Sequence, residues 1–406
     1  MSYARRLQSI PRTVSEPPED VFGALYGRTI TLNQHTIADL PAQTTAGTSR
    51  FAYKVQQSAD NIRLVYMNWY NSSYKATQYC TDYANTATIT VQALVFPPGS
   101  STGIPVTVGG STSWTITGGN WVQTDPIAIG VTAGQSIDVQ TYVSGTQWYP
   151  TLINGGGFVA SNQATRGSSK LGSSAGALYA PAIVTGKRSG PAVVVMGDSI
   201  AYNSAQGNSF GYLEKGLDGH YGLINTSSPG DRLYWYLAGR RSFSQFADND
   251  ATTAIVEYCR NDLGDGRTVA QMQANLLTLW TTRKNAGQRV IQTTITPNTT
   301  STDSWATTGN QTVANAGVES NRVSLNNWIR AGAPIVGGTA VAPGTSGATL
   351  AGQAGHPLYG YWEITDEVET ARNSGIWKAG YTTDGLHPNT AGINAAAAGV
   401  DYTMVA

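Results

Sequence analysis

One serine in this sequence lies where a nucleophile could work. Ser199 belongs to the tetrapeptide GDSI at 197–200, which directly follows the apolar run VVVM at 193–196. A continuous apolar run is typical of a parallel strand that is covered on both faces. A serine at the carboxyl end of such a strand can attack a carbonyl carbon while its own N–H faces the developing oxyanion. The alternative is a turn with a capping serine, because Gly-Asp-Ser arises by chance in about one such chain in ten.

A second segment contains the groups that would activate this serine. A nucleophilic serine needs a base, and the base needs a carboxylate that holds its tautomer and stabilises the imidazolium. The segment DGLHPN at 384–389 brings Asp384 and His387 into one loop. Pro388 disfavours the α region for His387, which keeps the loop extended before a helix that is predicted to begin near Thr390. A surface turn is the alternative, because Asp-Gly and His-Pro are common turn sequences.

These segments belong to a half of the chain in which strands alternate with helices. The clearest helix begins at Thr268, whose hydroxyl can cap it while Gln271 reaches back, and it ends at Gly287. Such alternation predicts an α/β unit with ligands at the carboxyl ends of its parallel strands. A further helix is predicted at 314–330, and the remaining strands of this half at 222–225, 254–259, 289–295 and 359–364.

The preceding half has the pattern of a β-sandwich. Apolar and polar residues alternate in stretches such as ATITVQALVF and SIDVQTYV, and no helical period occurs there. About seven strands separated by turn residues predict two packed sheets. A Gly/Ser-rich stretch at 155–176 is interpreted as a linker. The predicted strands are 49–56, 61–69, 87–96, 105–108, 112–116, 126–131 and 136–143.

With Gly-Asp-Ser on the first strand of the α/β half and Asp-x-x-His at its end, the sequence resembles the SGNH hydrolases, also called GDSL esterases. The resemblance covers about 191–406 and implies a flavodoxin-like three-layer α/β/α domain. The family's four sequence blocks match 197–200 (GDSI), 225–230 (NTSSPG), 259–262 (CRND) and 384–387 (DGLH).

The resemblance implies a role for each matched residue. Ser199 would be the nucleophile, His387 its base, and Asp384 the acid that orients the imidazole. The N–H groups of Ser199 and Gly230 and the side-chain amide of Asn261 would form the oxyanion hole. The activity implied is hydrolysis of carboxylic esters, without a cofactor or a metal.

Three positions in these blocks need separate treatment. Ile200 replaces the family's usual Leu, and Cys259 replaces the usual Gly of the third block, which is expected to alter the backbone near Asn261. Asp198 neighbours the nucleophile but is interpreted as structural, because adjacent side chains of an extended segment point apart.

The N-terminal half also resembles a known domain. The segment 110–137 is similar to the β-sandwich that precedes the catalytic domain in a subset of secreted microbial SGNH esterases. We therefore predict two domains: a jelly-roll-like β-sandwich over 1–186, with a leading arm and a linker, and the hydrolase domain over 187–406.

Composition excludes several classes of partner. Only 12% of residues are charged, and 25 basic residues balance 25 acidic ones. A neutral chain without a basic run lacks the surface that binds phosphate backbones, so nucleic acid is not expected as a partner. No apolar stretch approaches the roughly 18 residues that span a bilayer. Residues 1–20 lack the apolar core of an ordinary secretory signal.

The histidines and cysteines do not predict a metal site. The four histidines form no His-x-His or His-x-x-x-His pair, and neither Cys80 nor Cys259 is near one of them. The two cysteines are expected to be free, because one bridge cannot define a disulfide scaffold. Apart from His387, the histidines are interpreted as satisfied surface or core residues: His35, His220 and His356.

The substrate expected from the sequence is an acetylated polysaccharide or oligosaccharide. Aromatic residues stand among neutral polar ones at 69–70, 79–83 and 148–149, a combination that suits sugar ring faces and hydroxyls. A lipid or small-molecule ester is the first alternative. The second is a glycan-binding, phage tail-like adhesin with a vestigial hydrolase half. The expected location is extracellular, either as a secreted enzyme or as part of a virion.

Overall fold

A computed structural model describes residues 22–27, 46–72, 80–145, 159–161, 179–187, 190–202, 211–242 and 251–405. The strands are β1 (Phe22–Gly27), β2 (Gly47–Lys54), β3 (Ala59–Met67), β4 (Trp69–Ser72), β5 (Thr81–Ala84), β6 (Ile89–Phe96), β7 (Ile104–Pro105), β8 (Trp114–Ile116), β9 (Trp121–Gln123), β10 (Ile127–Val131), β11 (Ser136–Ser144), β12 (Val159–Ser161), β13 (Ile183–Lys187), β14 (Ala192–Gly197), β15 (Gly222–Asn225), β16 (Thr253–Glu257), β17 (Arg289–Thr293), β18 (Thr299–Ser301), β19 (Gln311–Val313), β20 (Ile335–Val336), β21 (Thr339–Ala340) and β22 (Gly360–Trp362). The α-helices are α1 (Ser199–Tyr202), α2 (Tyr212–Leu217), α3 (Leu233–Leu237), α4 (Arg260–Gly264), α5 (Val269–Asn285), α6 (Ala316–Arg330), α7 (Thr365–Val368) and α8 (Thr390–Ala398), and a 3-10 helix spans Tyr402–Val405.

The α/β half is built on parallel strands in the order β15-β14-β16-β17-β22. Numbered along the chain from β14, this order is second, first, third, fourth, fifth, as in flavodoxin-like folds. Successive β14 residues face opposite sides, with Val194 in the core under α5 and α6 and Val195 in the core under α2 and α8. Helices therefore cover both faces of the sheet, and the predicted α/β class is correct.

The predicted capping box is also correct, and two other predicted helices begin at or near the expected residues. Thr268 accepts a hydrogen bond from the Gln271 N–H, and the Gln271 side chain accepts one from the Thr268 N–H, so α5 begins with a complete capping box. The helix predicted at 314–330 begins two residues later, where Asn315 caps it. Asn389 caps α8 at the predicted Thr390 start. Among the described residues, no helix is both long and apolar enough to cross a membrane.

The N-terminal half is rich in β structure, but one of its layers continues the α/β sheet. β10, β3, β13 and β1 extend the main sheet beyond β15, and β12-β2-β11-β6-β7 form a second sheet with β8 on β6. Buried side chains of both sheets form one core, in which the Tyr66 hydroxyl on β3 contacts the Thr141 hydroxyl on β11 at 2.9 Å. The two halves thus share a sheet, and a jelly-roll-like sandwich as a separate domain stays a prediction.

The chain near the predicted boundary differs in detail from the sequence prediction. The boundary at 186/187 falls inside β13, which pairs with β3. The leading arm contains β1, which lies between β13 and β15. Its sequence, FGALYG, carries two glycines and no clear period-2 pattern, so local analysis missed it. Most of the linker at 155–176 lies outside the described residues, but within it β12 pairs with β2.

Candidate active site

Ser199 lies at the carboxyl end of β14 as the first residue of α1, and it is 9% exposed. The chain just before Ser199 is tightly packed, because a Cβ on Gly197 would lie 2.7 Å from the Glu257 carbonyl oxygen and 2.8 Å from Glu257 Oε2. Only glycine fits at this point, where β14 and β16 end side by side. The Gly of the Gly-Asp-Ser sequence therefore has a packing reason that is independent of the serine.

The structure brings Ser199, His387 and Asp384 into one hydrogen-bonded chain. His387 Nε2 lies 2.8 Å from Ser199 Oγ, and His387 Nδ1 lies 2.7 Å from Asp384 Oδ2. The other oxygen of Asp384 accepts the N–H groups of Leu386 and His387, both at 2.8 Å. Partial burial raises the pKa of Asp384, but the hydrogen bonds from the His387 ring and these two N–H groups outweigh it and hold that pKa well below its usual range. Asp384 is therefore ionised whenever His387 needs an acceptor.

The loop that carries Asp384 and His387 is held at its glycine. Gly385 has φ of 79°, and a Cβ there would lie 1.9 Å from the carbonyl oxygen of Thr299. The Gly385 carbonyl accepts the N–H of Thr299 and the indole N–H of Trp377, each at 2.9 Å. Thr382 adds a hydroxyl that donates to the His387 carbonyl at 2.8 Å. The sequence prediction missed Thr299, Thr382 and Trp377, because no local pattern connects them to this loop.

Gly230, the second-block glycine, lies in a loop that is tied to the nucleophile's strand. Its φ is 80°, in the left-handed region that glycine tolerates. The N–H of Ser228 donates to the Gly197 carbonyl at 3.1 Å, which holds the loop at the carboxyl edge of the sheet. Asp262 accepts the N–H groups of Leu233 and Tyr234 at 3.0 and 3.3 Å and so fixes the chain that follows.

Asn261 points its amide toward the same region from α4. Its Nδ2 donates to Asp198 Oδ2 at 3.1 Å and to the Asp231 carbonyl at 3.0 Å, so both amide hydrogens are engaged. Cys259, which precedes α4, has φ of 95° and ψ of −15°. Cys259 thus occupies a left-handed backbone conformation that favours glycine, and its Cβ is strained there. The expected change of the backbone near Asn261 stays a prediction.

A buried carboxyl pair lies beneath the nucleophile, and the sequence prediction missed one member. As expected, Asp198 is structural: its Oδ1 accepts the N–H of Ile200 at 3.0 Å. Glu257 lies beside it, and its Oε2 accepts the backbone N–H groups of Asp198 at 3.5 Å and of Ala201 at 3.2 Å. Burial raises the pKa of Asp198 to about 7, and burial together with the charge of Asp198 raises the pKa of Glu257 well above its usual range. The pair therefore holds a proton at neutral pH.

The N-terminal half covers the loop that contains Gly230. Cys80 donates its thiol to the Pro229 carbonyl at 3.3 Å, and the Ser228 hydroxyl donates to Asn71 Oδ1 at 3.3 Å. Arg241, which is 1% exposed, lies 3.0 Å from Asp231 and 3.5 Å from Asp82 of β5. The candidate oxyanion loop is thus packed against residues of β4 and β5.

The remaining titratable candidates are structural or lie outside the described residues. His356 is buried, with Nε2 at 2.9 Å from the Ala333 carbonyl and Nδ1 accepting the Leu358 N–H at 3.0 Å. His220 stacks on Tyr402 with ring centroids 3.7 Å apart. Both cysteines are free and buried. Within the described ranges no three His, Cys, Asp or Glu side chains are grouped as metal ligands. Outside those ranges lie His35, Tyr79, Trp148 and Tyr149.

Comparison with known proteins gives structural neighbours only. No family model and no curated protein matches the sequence. A GDSL-like lipase from Bacteroides thetaiotaomicron is 14% identical with a TM-score of 0.35, covering 53% of this chain and 87% of its own. TesA is 19% identical with a TM-score of 0.33, covering 52% and 95%. A lipolytic protein of the G-D-S-L family from Veillonella parvula is 14% identical with a TM-score of 0.32, covering 51% and 94%. Over about half of its length, this chain is similar to solved structures that include a GDSL-like lipase and a lipolytic protein of the G-D-S-L family.

Proposed function

We propose that this protein is an SGNH-type serine esterase that hydrolyses carboxylic esters through a covalent acyl-enzyme. The observation that carries the proposal is the chain of hydrogen bonds from Ser199 Oγ through His387 to Asp384, at 2.8 and 2.7 Å. The base, His387, is within hydrogen-bonding distance of both the nucleophile and the orienting acid, which is the arrangement that activates a serine hydroxyl.

The proposed reaction has two acyl transfers. Ser199 Oγ attacks the ester carbonyl carbon while its proton passes to His387 Nε2, and Asp384 stabilises the imidazolium. The imidazolium then gives this proton to the leaving alcohol as the carbon–oxygen bond breaks. Water attacks the resulting acyl-serine with His387 again as the base. The acid is released, and Ser199 regains its proton.

The proposed oxyanion hole consists of the N–H groups of Ser199 and Gly230 and the amide of Asn261. Because both amide hydrogens of Asn261 are engaged, by Asp198 and by the Asp231 carbonyl, donation to an oxyanion exchanges one of these bonds. The bond to Asp198 is the weaker competitor whenever Asp198 carries the proton that it shares with Glu257. This assignment gives Asp198 a positioning role.

The proposed substrate is an acetyl ester on a carbohydrate, met outside the cell by a secreted or virion-borne protein. The base and acid of the site are accessible to solvent, because the Asp384 side chain is 51% exposed and that of His387 is 22% exposed. Lipid or small-molecule esters are the alternative substrates. Of the aromatic residues first considered for sugar contact, Trp69 is in the core at 2% exposed and supports no such contact.

The test of the esterase proposal is Ser199→Ala, with Ser324→Ala as the matched control on the exposed face of α6. Wild type and S324A should hydrolyse p-nitrophenyl acetate and be labelled by a fluorophosphonate, whereas S199A should do neither. Labelling or full turnover in S199A would overturn the proposal. An unlabelled wild type would instead favour the glycan-binding adhesin. Acetate release from acetylated glycans, compared with turnover of long-chain p-nitrophenyl esters, distinguishes the substrate classes.

A further inference from the structure

The loop that carries Asp384 and His387 is held by a hairpin from another part of the chain. Strands β18 and β19 form this antiparallel hairpin. The N–H of Thr299 on β18 donates to the Gly385 carbonyl at 2.9 Å. A Cβ on Gly385 would lie 2.8 Å from Cζ2 of Trp305, in the turn that follows β18. The hairpin therefore contacts the loop between the acid and the base.

Trp305 connects the hairpin with this loop by three contacts. Its indole N–H donates to the Thr299 hydroxyl at 2.9 Å. Its backbone carbonyl accepts the N–H of Gly380 at 2.8 Å. The edge of its half-buried ring lies against Gly385. The indole N–H and the Gly385 carbonyl thus both bond to Thr299, which is 2% exposed, so a change at Trp305 reaches the loop through a buried residue.

The backbone that presents Trp305 is strained. Ser304 has φ of 56° and Trp305 has φ of 61°. Both lie in the left-handed region, which is unfavourable for a residue with a Cβ and rare for a bulky side chain. Strain of this kind persists only where surrounding contacts fix it, and it clusters at functional sites. The Trp305 conformation therefore needs a support, and its contact with the loop of the acid and base points to a function.

Asp303 supplies the support. Its Oδ2 accepts the N–H and the hydroxyl of Thr307, at 3.0 and 2.6 Å, and the side-chain amide of Asn310 at 3.0 Å. Its Oδ1 accepts the hydroxyl of Ser301 at 2.7 Å, and the Ser301 oxygen in turn accepts the Trp305 N–H at 2.9 Å. The hydrogen bonds from Thr307, Asn310 and Ser301 hold the pKa of Asp303 well below its usual range. The turn is thus fixed by its own side chains.

We propose that Trp305 is a positioning residue for the acid and base of the active site, and that its contacts with Thr299 and Gly385 fix the loop in which Asp384 orients His387. The inference rests on the proposed esterase function. A catalytic group that is misplaced by about 1 Å can cost about a hundredfold in rate. The alternative is that the exposed part of the indole binds the substrate, and the tests below distinguish the two roles.

The first test uses Trp305→Phe, which loses the indole N–H, and Trp305→Ala, which loses the ring as well. The control is Trp121→Phe, whose side chain is 46% exposed on β9. With p-nitrophenyl acetate we expect kcat to fall about fivefold to tenfold in W305F and about a hundredfold in W305A, and to keep the wild-type value in W121F. KM should change by less than about twofold, because formation and hydrolysis of the acyl-serine both depend on His387 and slow together.

Two results of this test would overturn the proposal. An unchanged kcat in W305A would show that the loop needs no support from the indole. A change confined to KM that differs between esters of small and bulky alcohols would assign Trp305 to substrate binding. All rates are compared below the thermal midpoint of each variant, so that a loss of stability alone leaves kcat of the folded protein unchanged.

The second test asks whether Trp305 acts through Thr299. Thr299→Val removes the hydroxyl that accepts the indole N–H, whereas Thr299→Ser keeps it. We expect kcat near wild type in T299S and reduced in T299V. W305F should then lower kcat less in T299V than in the wild-type background, because its hydrogen bond is already absent there. Equal losses in both backgrounds would contradict transmission through Thr299.

A third measurement is independent of turnover. The proton between His387 Nδ1 and Asp384 gives a far-downfield NMR resonance, which its loss in Asp384→Asn assigns. It should be sharp in wild type and W121F, and weakened or broadened by exchange in W305A. If wild type hydrolyses no ester and no fluorophosphonate labels Ser199, the esterase proposal fails, and this resonance still decides whether Trp305 holds the loop. An identical resonance in W305A and wild type would refute the positioning role.

Discussion

Cys259 holds the backbone before Asn261 in a conformation that its side chain disfavours. Its φ is 95°, and a Cβ in the left-handed region costs about 1–2 kcal/mol. We predict that Cys259→Gly is more stable than Cys259→Ala by about 1 kcal/mol, because both variants lose the thiol and only the alanine keeps the strained Cβ. Urea unfolding of the two variants measures the difference. An alanine variant as stable as the glycine variant would show that position 259 carries no strain.

The Asp198 and Glu257 pair predicts a pH dependence of stability. Burial raises the pKa of Asp198 to about 7 and raises that of Glu257 further above its usual range. The folded protein therefore binds these protons more tightly than the unfolded chain. Their contribution is complete below about pH 4, where both states are protonated. It is lost as the pH rises through the folded pKa of about 7.

The variant that tests this is Glu257→Gln, with Asp60→Asn at an exposed position as the control. Removing one of the two buried carboxyls should flatten the decline of the free energy of unfolding between about pH 5 and 8, while D60N keeps the wild-type slope. Urea midpoints across that range give the slopes. Parallel curves for E257Q and wild type would mean that the pair does not share a proton.

The residues of the candidate site were predicted unequally from the sequence. Ser199 and His387 could be predicted, because each belongs to a short segment whose residue types already suggest a role. Glu257 could not be predicted, because its role depends on its proximity to Asp198, which follows a neighbouring strand and is distant in the sequence.

At the scale of elements, the loop after β15 depends on a strand from the other half of the chain. Arg241 lies between Asp231 of this loop and Asp82 of β5, at 3.0 and 3.5 Å, and all three side chains are at most 1% exposed. Burial raises the pKa of Asp231 to about 6, although Arg241 and the Tyr258 hydroxyl act in the opposite direction. The Arg241 guanidinium thus offsets the energetic cost of burying the carboxylates of Asp231 and Asp82.

Replacing Arg241 should therefore destabilise the whole protein. We expect Arg241→Met to lower the free energy of unfolding by about 3–5 kcal/mol, because it leaves two uncompensated buried carboxylates. Adding Asp82→Asn should restore part of the loss, since it removes one of the two charges. The exposed Arg372→Met is the control and should change stability by less than about 0.5 kcal/mol. Chemical unfolding of the four proteins gives the values, and a loss in R241M no larger than in R372M would contradict the argument.

The elements themselves were predicted well where the pattern is local. The cap at Thr268, the start of α8 at Thr390 and most strands of both halves follow from periodicity and turn residues. Sheet order does not, because pairing joins distant segments: Ile183 of β13 pairs with Val65 of β3, and Tyr26 of β1 pairs with Leu223 of β15. Nothing in a window of a few residues specifies such partners.

At the scale of the whole molecule, few residues are charged, and part of that charge is buried. Only 12% of the residues are charged, and several of the ionic groups that the structure describes are buried near the candidate site, such as Asp198, Asp231, Arg241 and Glu257. A neutral composition argues against long-range attraction of a polyanion.

The same architecture predicts that the hydrolase half does not function alone. A fragment of residues 187–406 would lose β1, which pairs with β15, and it would lose Asn71, Cys80 and Asp82, which cover the candidate oxyanion loop. The edge of β15 would be left with unpaired backbone groups that promote association between copies. Arg241 would keep one of its two carboxylate partners, and Ser228 would be exposed to water.

We therefore expect the fragment to unfold at a lower temperature than the full chain, to associate at concentrations at which the full chain does not, and to label poorly with a fluorophosphonate at Ser199. Thermal unfolding, light scattering and labelling per mole measure these properties, and full-length R372Q controls for handling. Restoring residues 1–186, which include β13, as a separate chain should recover part of the labelling if covering the loop is what matters. A fragment with the thermal midpoint and labelling of the full chain would instead show that the hydrolase half is energetically independent, and that sharing a sheet with the β-rich half does not stabilise its active site.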